Sequence, residues 1–111
     1  MDMNADLMGA LGKMREMQEQ VEKAQAELGS ITASAEAGGG MVKVTANGKQ
    51  EIVSIKFEKE VINPDEQEML EDLIVAASNR ALAKAKELAE EKMSAVAKQF
   101  MPNIPGLPFN L

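Results

Sequence analysis

The chain has 111 residues, 45% apolar side chains and a formal net charge of −6, which is enough sequence for one small folded domain. It contains no cysteine and no histidine, so disulfides, thiolate nucleophiles and the commonest general base and metal ligand are excluded. No apolar run approaches the ~18 residues of a membrane span, and the N-terminal segment lacks a signal-peptide pattern, so we expect a cytoplasmic protein.

The first predicted element is a helix over about residues 3–28. Its apolar positions recur in alternating steps of four and three, which is a heptad-like pattern on one face: Met3, Leu7, Ala10, Met14, Met17, Val21, Ala24 and Leu28. Gly29 follows and is typical of a residue that ends a helix. The pattern predicts a helix with one apolar face that needs a partner.

A three-stranded antiparallel sheet is predicted over about residues 30–58, because three short segments alternate between apolar and polar residues. The apolar positions that we expect to be buried are Ala33, Ala35 and Ala37, then Val42, Val44 and Ala46, then Val53, Ile55 and Phe57. Three glycines join the first two strands, and Asn47-Gly48, a strong hairpin signal, joins the second and third. A phosphate-binding loop is the alternative reading of these glycines, but such a loop precedes a helix and these glycines precede strands.

A second helix is predicted over about residues 64–100, with Asn63 as its cap and Pro64 in its first turn. Its apolar face comprises Leu70, Leu73, Ile74, Ala77, Ala81, Ala85, Leu88, Ala89, Met93, Val96 and Phe100. The tail, residues 102–111, carries prolines three residues apart and is predicted to be extended and polyproline-like.

The length of the second helix predicts self-association. At ~1.5 Å per residue a helix from Asp65 to Phe100 is roughly 54 Å long, whereas a compact domain of this size is only about 35 Å across. The far end of the helix still carries an apolar face. Either the two helices pair as an antiparallel hairpin, or a second copy covers them, or both. Exposed strand edges also favour pairing across a two-fold axis, so we expect a homodimer.

Two segments in this order resemble the YbaB/EbfC family of bacterial nucleoid-associated proteins: "GGGMVKVTANGKQEIVSIKF" in the sheet and "DEQEMLEDLIVAASNRALAKAKE" at the start of the second helix. "MREMQEQVEKAQAEL" in the first helix is similar as well, so the resemblance covers nearly the whole chain. It implies an α+β fold with an α-β-β-β-α protomer, a three-stranded antiparallel sheet between two long helices, in a tweezer-like homodimer. It further implies one domain over residues 1–111, double-stranded DNA as a partner, a role in nucleoid organisation or gene regulation, and no catalytic activity or cofactor.

Phosphate contacts from lysine and arginine supply most sequence-independent DNA affinity, so basic residues are the candidate site. The resemblance points to the helices, whose basic residues are Lys13, Arg15, Lys23, Arg80, Lys84, Lys86, Lys92 and Lys98. Lys43, Lys49 and Lys56 of the sheet rank second. The alternative for each residue is an ordinary solvated or salt-bridged surface position.

The competing function is a protein-interaction module that grips a partner protein through its amphipathic helices or its proline-containing tail. The acidic balance and the nine methionines favour that alternative, whereas the family resemblance favours DNA. Residues 60–72 carry six acidic side chains and no basic one, and we expect this block to face away from DNA. We expect the tail to stabilise the fold or an interface rather than to contact DNA. An enzyme is not expected, and no metal site is predicted.

Overall fold

The computed structural model describes residues 3–100, so the predicted proline-containing tail lies outside the described residues. Helix α1 (Met3–Glu27) is followed by one 3-10 turn and by three strands, β1 (Thr32–Ala37), β2 (Val42–Asn47) and β3 (Ile52–Phe57). Two further 3-10 turns lead to helix α2 (Gln67–Phe100). This order confirms the predicted α-β-β-β-α protomer.

Contacts divide the described residues into two compact units. Residues 28–90 form the sheet unit, and residues 3–27 with residues 91–100 form the helical unit. The single domain over residues 1–111 stays a prediction. No helix within residues 3–100 is long and apolar enough to cross a membrane.

The core of the sheet unit lies between the antiparallel sheet, in the order β1-β2-β3, and one face of α2. Its buried members are Ala35, Ala37, Val42, Val44, Ala46, Ala77, Ala81 and Ala85. Because protein interiors are close-packed, alanine at every fourth position of α2 brings the helix close to the strands. Of the predicted inward positions of the first two strands, Ala35 and Ala37 and the three of β2 are buried as expected, whereas Ala33 is half-buried.

Strand β3 differs from the prediction. The alternation predicts Val53, Ile55 and Phe57 on one buried face, yet these side chains are 39% to 52% exposed. The pairing with β2 is irregular between Thr45 and Ala46, which places Val53 out of phase with the other two. The burial prediction was wrong for this strand because the core contains β1, β2 and α2, and α2 leaves the apolar side of β3 uncovered.

Both glycine-containing turns connect strands, which confirms their interpretation as turns and excludes a phosphate loop. Residues 38–40 all have a positive φ of 66° to 94°, where a side chain is strained. Gly48 is required for space instead, since a Cβ there would lie 2.7 Å from the carbonyl oxygen of Leu28. Gln50 is the hairpin residue with a positive φ, 62°, so this turn is longer than a two-residue Asn-Gly turn.

Helix α2 begins three residues later than predicted. Pro64–Glu66 form a 3-10 turn, and the α-helix starts at Gln67. The cap itself is as expected: Asn63 has an extended backbone, and its Oδ1 accepts a hydrogen bond of 3.0 Å from the backbone N–H of Asp65.

In the helical unit, α1 and the last ten described residues of α2 run antiparallel. Lys92 Nζ lies 2.7 Å from Glu27 Oε2. Val96, one turn later in α2, lines a cavity of about 160 Å³ with earlier residues of α1: Gln20, Lys23 and Ala24. Later residues of α2 therefore lie beside earlier residues of α1, as expected for antiparallel helices.

The apolar face of α1 is covered over only part of its length. Ala24 is buried, and Met17 and Val21 are half-buried. The earlier large side chains of the same face are 46% to 80% exposed: Met3, Leu7, Leu11 and Met14. The predicted apolar face of α1 is therefore packed toward the C-terminal end of the helix and exposed toward its N-terminal end.

Candidate nucleic-acid interface

Two basic residues of α2, Arg80 and Lys84, lie one turn apart and both reach the edge of the sheet. Arg80 Nη1 donates to the carbonyl oxygen of Glu36 at 3.1 Å, and Lys84 Nζ donates to the carbonyl oxygen of Ser34 at 3.4 Å. Both side chains remain exposed. They satisfy outward carbonyl groups of edge strand β1, and each retains further N–H donors, since arginine has five and lysine three.

The basic residues of the helical unit fall into two groups. The first group is exposed and contains Lys13, Arg15, Lys23 and Lys98. Lys92 is different, because it forms an ion pair and hydrogen bond with Glu27 and its side chain is only 30% exposed. Lys86, in the sheet unit, is exposed like the first group.

The Lys92 contact changes the acidity of its partner. The hydrogen bond from Lys92 and its positive charge lower the pKa of Glu27; burial opposes this effect, and the charge of Lys23 adds a lesser contribution that also lowers the pKa. Glu27 is therefore held ionised, which commits Lys92 to a structural contact between α1 and α2.

The second-ranked lysines lie on or beside the outward face of the sheet. Lys43 of β2 stands directly opposite Lys56 of β3 and, on its other side, opposite Glu36 of β1. The Lys43–Lys56 pair is unfavourable, because like charges lie directly opposite each other in the sheet. The negative charge of Glu36 offsets one of these two positive charges. Lys49 lies apart from them, with its Cε 3.5 Å from the position of a Cβ on Gly29.

The acidic block at the start of α2 is exposed to solvent. Glu66, Glu68, Glu71 and Asp72 are all exposed. Within residues 3–100, no three acidic side chains are grouped so that they could hold a metal ion.

The sequence identified Arg80 and Lys84 as candidate DNA-binding residues but did not predict their carbonyl partners. The partners lie 44 and 50 residues away along the chain. The available signal was the buried alanine stripe beside them, Ala77, Ala81 and Ala85, which brings α2 against the sheet. Long basic side chains that flank such a stripe reach past it to the strand edge.

A model of the YbaB/EbfC DNA-binding family matches residues 3–100. The chain belongs to this family. The match confirms the resemblance seen in the sequence motifs, and it identifies a member of a DNA-binding family rather than an enzyme.

Curated proteins similar to this YbaB/EbfC family member are named nucleoid-associated proteins. One from Thermodesulfovibrio yellowstonii is 55% identical over 78 residues, which are 70% of this chain and 67% of the relative. One from Pelotomaculum thermopropionicum is 40% identical over 105 residues, which are 95% of this chain and 98% of the relative. One from Agrobacterium fabrum is 43% identical over 106 residues, with 94% and 98% covered.

A solved structure of an uncharacterized protein from Helicobacter pylori resembles the fold. Its TM-score is 0.57 at 19% identity, with 70% of this chain and 90% of that chain covered. At this identity the likeness supports the fold of the YbaB/EbfC family member and carries no statement about its site.

Proposed function

We propose that this protein is a nucleoid-associated protein that binds double-stranded DNA as a homodimer, mainly through phosphate contacts from α1 and α2. The observation that carries the proposal is the match to a DNA-binding family over residues 3–100. The names of the curated relatives support a location in the nucleoid of the cytoplasm and a role in nucleoid organisation or gene regulation. The same match favours DNA over the alternative of a protein-interaction module.

The distribution of exposed cations supports the phosphate contacts. Within residues 3–100, five basic side chains of the two helices are exposed and form no hydrogen bond or ion pair with a protein acceptor: Lys13, Arg15, Lys23, Lys86 and Lys98. We assign these the main role. Arg80 and Lys84 contribute with the donors that the β1 carbonyls leave over, and Lys92 contributes least because Glu27 holds it. Backbone contacts of this kind carry no base information, so weak sequence preference follows.

The uncovered side of β3 supports the homodimer. Ile52, Ile55 and Phe57 stand opposite the inward residues of β2, and each is more than a third exposed, which is unusual for three large apolar residues on one side of a short strand. The two edges of the sheet also differ: Arg80 and Lys84 occupy carbonyls at the β1 edge, whereas β3 forms the opposite edge. A second copy that packs on β3 buries this apolar surface and protects the edge.

The test of DNA binding is a fluorescence-anisotropy titration on a duplex of about 30 bp at several salt concentrations. Each neutralised phosphate contributes a slope of about 0.9 to the decline of log affinity with log salt, so we expect a slope of several units. Lys13→Gln and Arg15→Gln should each reduce this slope by about one unit.

Lys59→Gln is the matched control, because it removes the same charge from a short turn that precedes the acidic block. Its slope should equal that of the unchanged protein. If all three variants lose affinity equally, net charge rather than a helical surface governs binding. If the folded protein does not bind the duplex at low salt, the DNA proposal is wrong.

A further inference from the structure

An exposed apolar stripe on α1 begins where its cover by α2 stops. We define the stripe as Met3, Leu7, Leu11 and Met14, whose side chains are 80%, 59%, 46% and 61% exposed. At 3.6 residues per turn these positions lie on the same face of α1 as Met17, Val21 and Ala24, which are half-buried or buried. One continuous face is therefore packed at one end and open at the other.

The end of the cover coincides with the end of α2. Lys92 lies beside Glu27, and Val96 shares a cavity with Gln20 and Ala24. Phe100 is one turn further along, roughly 6 Å, in the direction of the stripe. The chain therefore leaves α2 at the point on α1 where the stripe starts.

The next eleven residues, 101–111, have the composition of a segment that packs rather than one that is solvated. None of them is charged, although 27% of the chain is. Their sequence, MPNIPGLPFNL, repeats with a period of three: Met101, Ile104 and Leu107 fall in one row and three prolines in the next. A polyproline helix has three residues per turn, so each row lies on one side of it.

The length of the segment fits the stripe. At ~3.1 Å per residue, an extended polyproline run of this length reaches about 34 Å. The distance from Met14 back to Met3 along α1 is only about 17 Å. The segment therefore has enough reach for a connecting turn after Phe100 and for an extended run along the whole stripe.

We propose that residues 101–111 dock along the apolar stripe of α1 in the same chain, with the row Met101, Ile104 and Leu107 against it. This inference is independent of DNA binding, since it concerns an apolar surface and an uncharged segment. It also separates two surfaces of the molecule: the tail covers the stripe of α1, and a second copy covers β3.

Two of the exposed methionines of α1, Met14 and Met8, provide a direct test. Met14 lies in the stripe, and Met8 lies about 120° away around the helix, with a similar exposure of 69%. Oxidation by hydrogen peroxide follows exposure, so it is measured for each methionine by peptide mass spectrometry. With the tail docked, we expect Met14 to be oxidised several-fold more slowly than Met8 in the unchanged protein.

Two tail variants decide whether the tail is the cover. Ile104→Asp places a charge in the apolar row and should raise the Met14 rate to that of Met8. Asn103→Asp adds the same side chain one position away, outside that row, and should leave the difference intact. Equal rates in the unchanged protein overturn the proposal because the stripe is then open. A slow Met14 rate that Ile104→Asp leaves unchanged also overturns it, because another surface is then the cover.

A spin label distinguishes the tail of the same chain from that of a second copy. The chain has no cysteine, so Asn103→Cys accepts a single nitroxide. The NMR sample contains chains that carry both the isotope label and the nitroxide, diluted with unlabelled protein. In this sample we expect the methyl signals of Leu7 and Leu11 to broaden. Broadening that occurs only when the isotope label and the nitroxide are on different chains contradicts docking within one chain.

Discussion

At the residue scale, Gly48 is the position where a side chain has the least room. Its N–H donates to the carbonyl oxygens of Leu28 and Ile31 at 2.9 Å each, so the hairpin turn lies directly against the segment that precedes β1. A Cβ would lie 2.7 Å from the Leu28 oxygen and 3.4 Å from the Cβ of Ala89. Backbone on one side and a helix on the other leave no flexible atom to move.

We therefore expect Gly48→Ala to lower the free energy of unfolding by about 1–3 kcal/mol, as overpacking usually does. Gly9→Ala is the matched control, because nothing lies within 4 Å of a Cβ at that exposed helical position. Alanine there should stabilise the protein by roughly 0.5–1 kcal/mol through helix propensity. Urea unfolding of both variants measures the two effects, and a neutral Gly48→Ala would show that the turn is not held against Leu28.

The Glu27–Lys92 pair predicts a pH dependence of stability. Lys92 lowers the pKa of Glu27 in the folded protein, so the folded state favours the ionised carboxylate. The resulting stabilisation is present above the ordinary pKa of a glutamate and is lost as the pH falls through the lowered pKa. Lys92→Gln should therefore destabilise the protein near neutral pH and have a much smaller effect in acid.

Thermal unfolding at about pH 7 and about pH 2 checks this prediction, since the lower value lies well below the ordinary pKa of a glutamate, about 4.3. Lys98→Gln removes an exposed lysine of the same helix and should not show the same dependence. A difference between Lys92→Gln and the unchanged protein that is equally large at both pH values would mean that lost packing of the lysine chain, rather than its charge, is responsible.

At the element scale, sequence periodicity predicted the type of each element and its apolar face. It predicted less reliably which other element packs on that face. The alanine face of α2 could be predicted because a 3.6-residue period specifies one face, and Ala77, Ala81 and Ala85 are indeed buried. The alternation in β3 also specified one apolar side, but a pattern within one strand contains no information about its neighbours. The register irregularity displaces Val53, and the turn before β3 is longer than the Asn-Gly signal predicts; the alternation indicates neither feature.

The candidate site shows the same limit. The basic residues of the helices were found from the sequence because charge is visible in the residue type. Which of them bond to protein groups depends on contacts between distant segments, such as Lys92 with Glu27, 65 residues away. The folded structure is therefore needed to distinguish a lysine that forms an ion pair from a lysine that is exposed.

Strand β3 carries the prediction about assembly. If a second copy packs on its apolar side, Ile55→Glu places a charge in that interface and should shift the protein from dimer to monomer in sedimentation analysis. Val75→Glu is the control, because it replaces another exposed branched apolar residue, 58% exposed, on α2. It should leave the dimer intact. Circular dichroism verifies folding, and a folded Ile55→Glu dimer of undiminished affinity would remove β3 from the interface.

At the scale of the whole molecule, a net charge of −6 on each chain opposes association with DNA. The excess is concentrated rather than uniform, because residues 60–72 alone carry six acidic side chains and no basic one. In the rest of the chain, the acidic and basic side chains balance in number. Binding is compatible with this distribution when the acidic block is directed away from DNA, since exposed charges separated by more than about 10 Å are largely screened at 0.1 M salt.

This orientation makes charge reversal informative in two places. Glu71→Lys, in the exposed acidic block, should leave DNA affinity unchanged or slightly raised at about 0.1 M salt, because the new charge lies beyond the screening distance. Glu19→Lys on α1 makes the same change beside the proposed phosphate contacts, so it should tighten binding and steepen the salt dependence by about one unit. The anisotropy titration measures both. If Glu71→Lys tightens binding as much as Glu19→Lys, or abolishes it in a folded protein, then the start of α2 lies at the DNA and the assignment to the other helical cations is wrong.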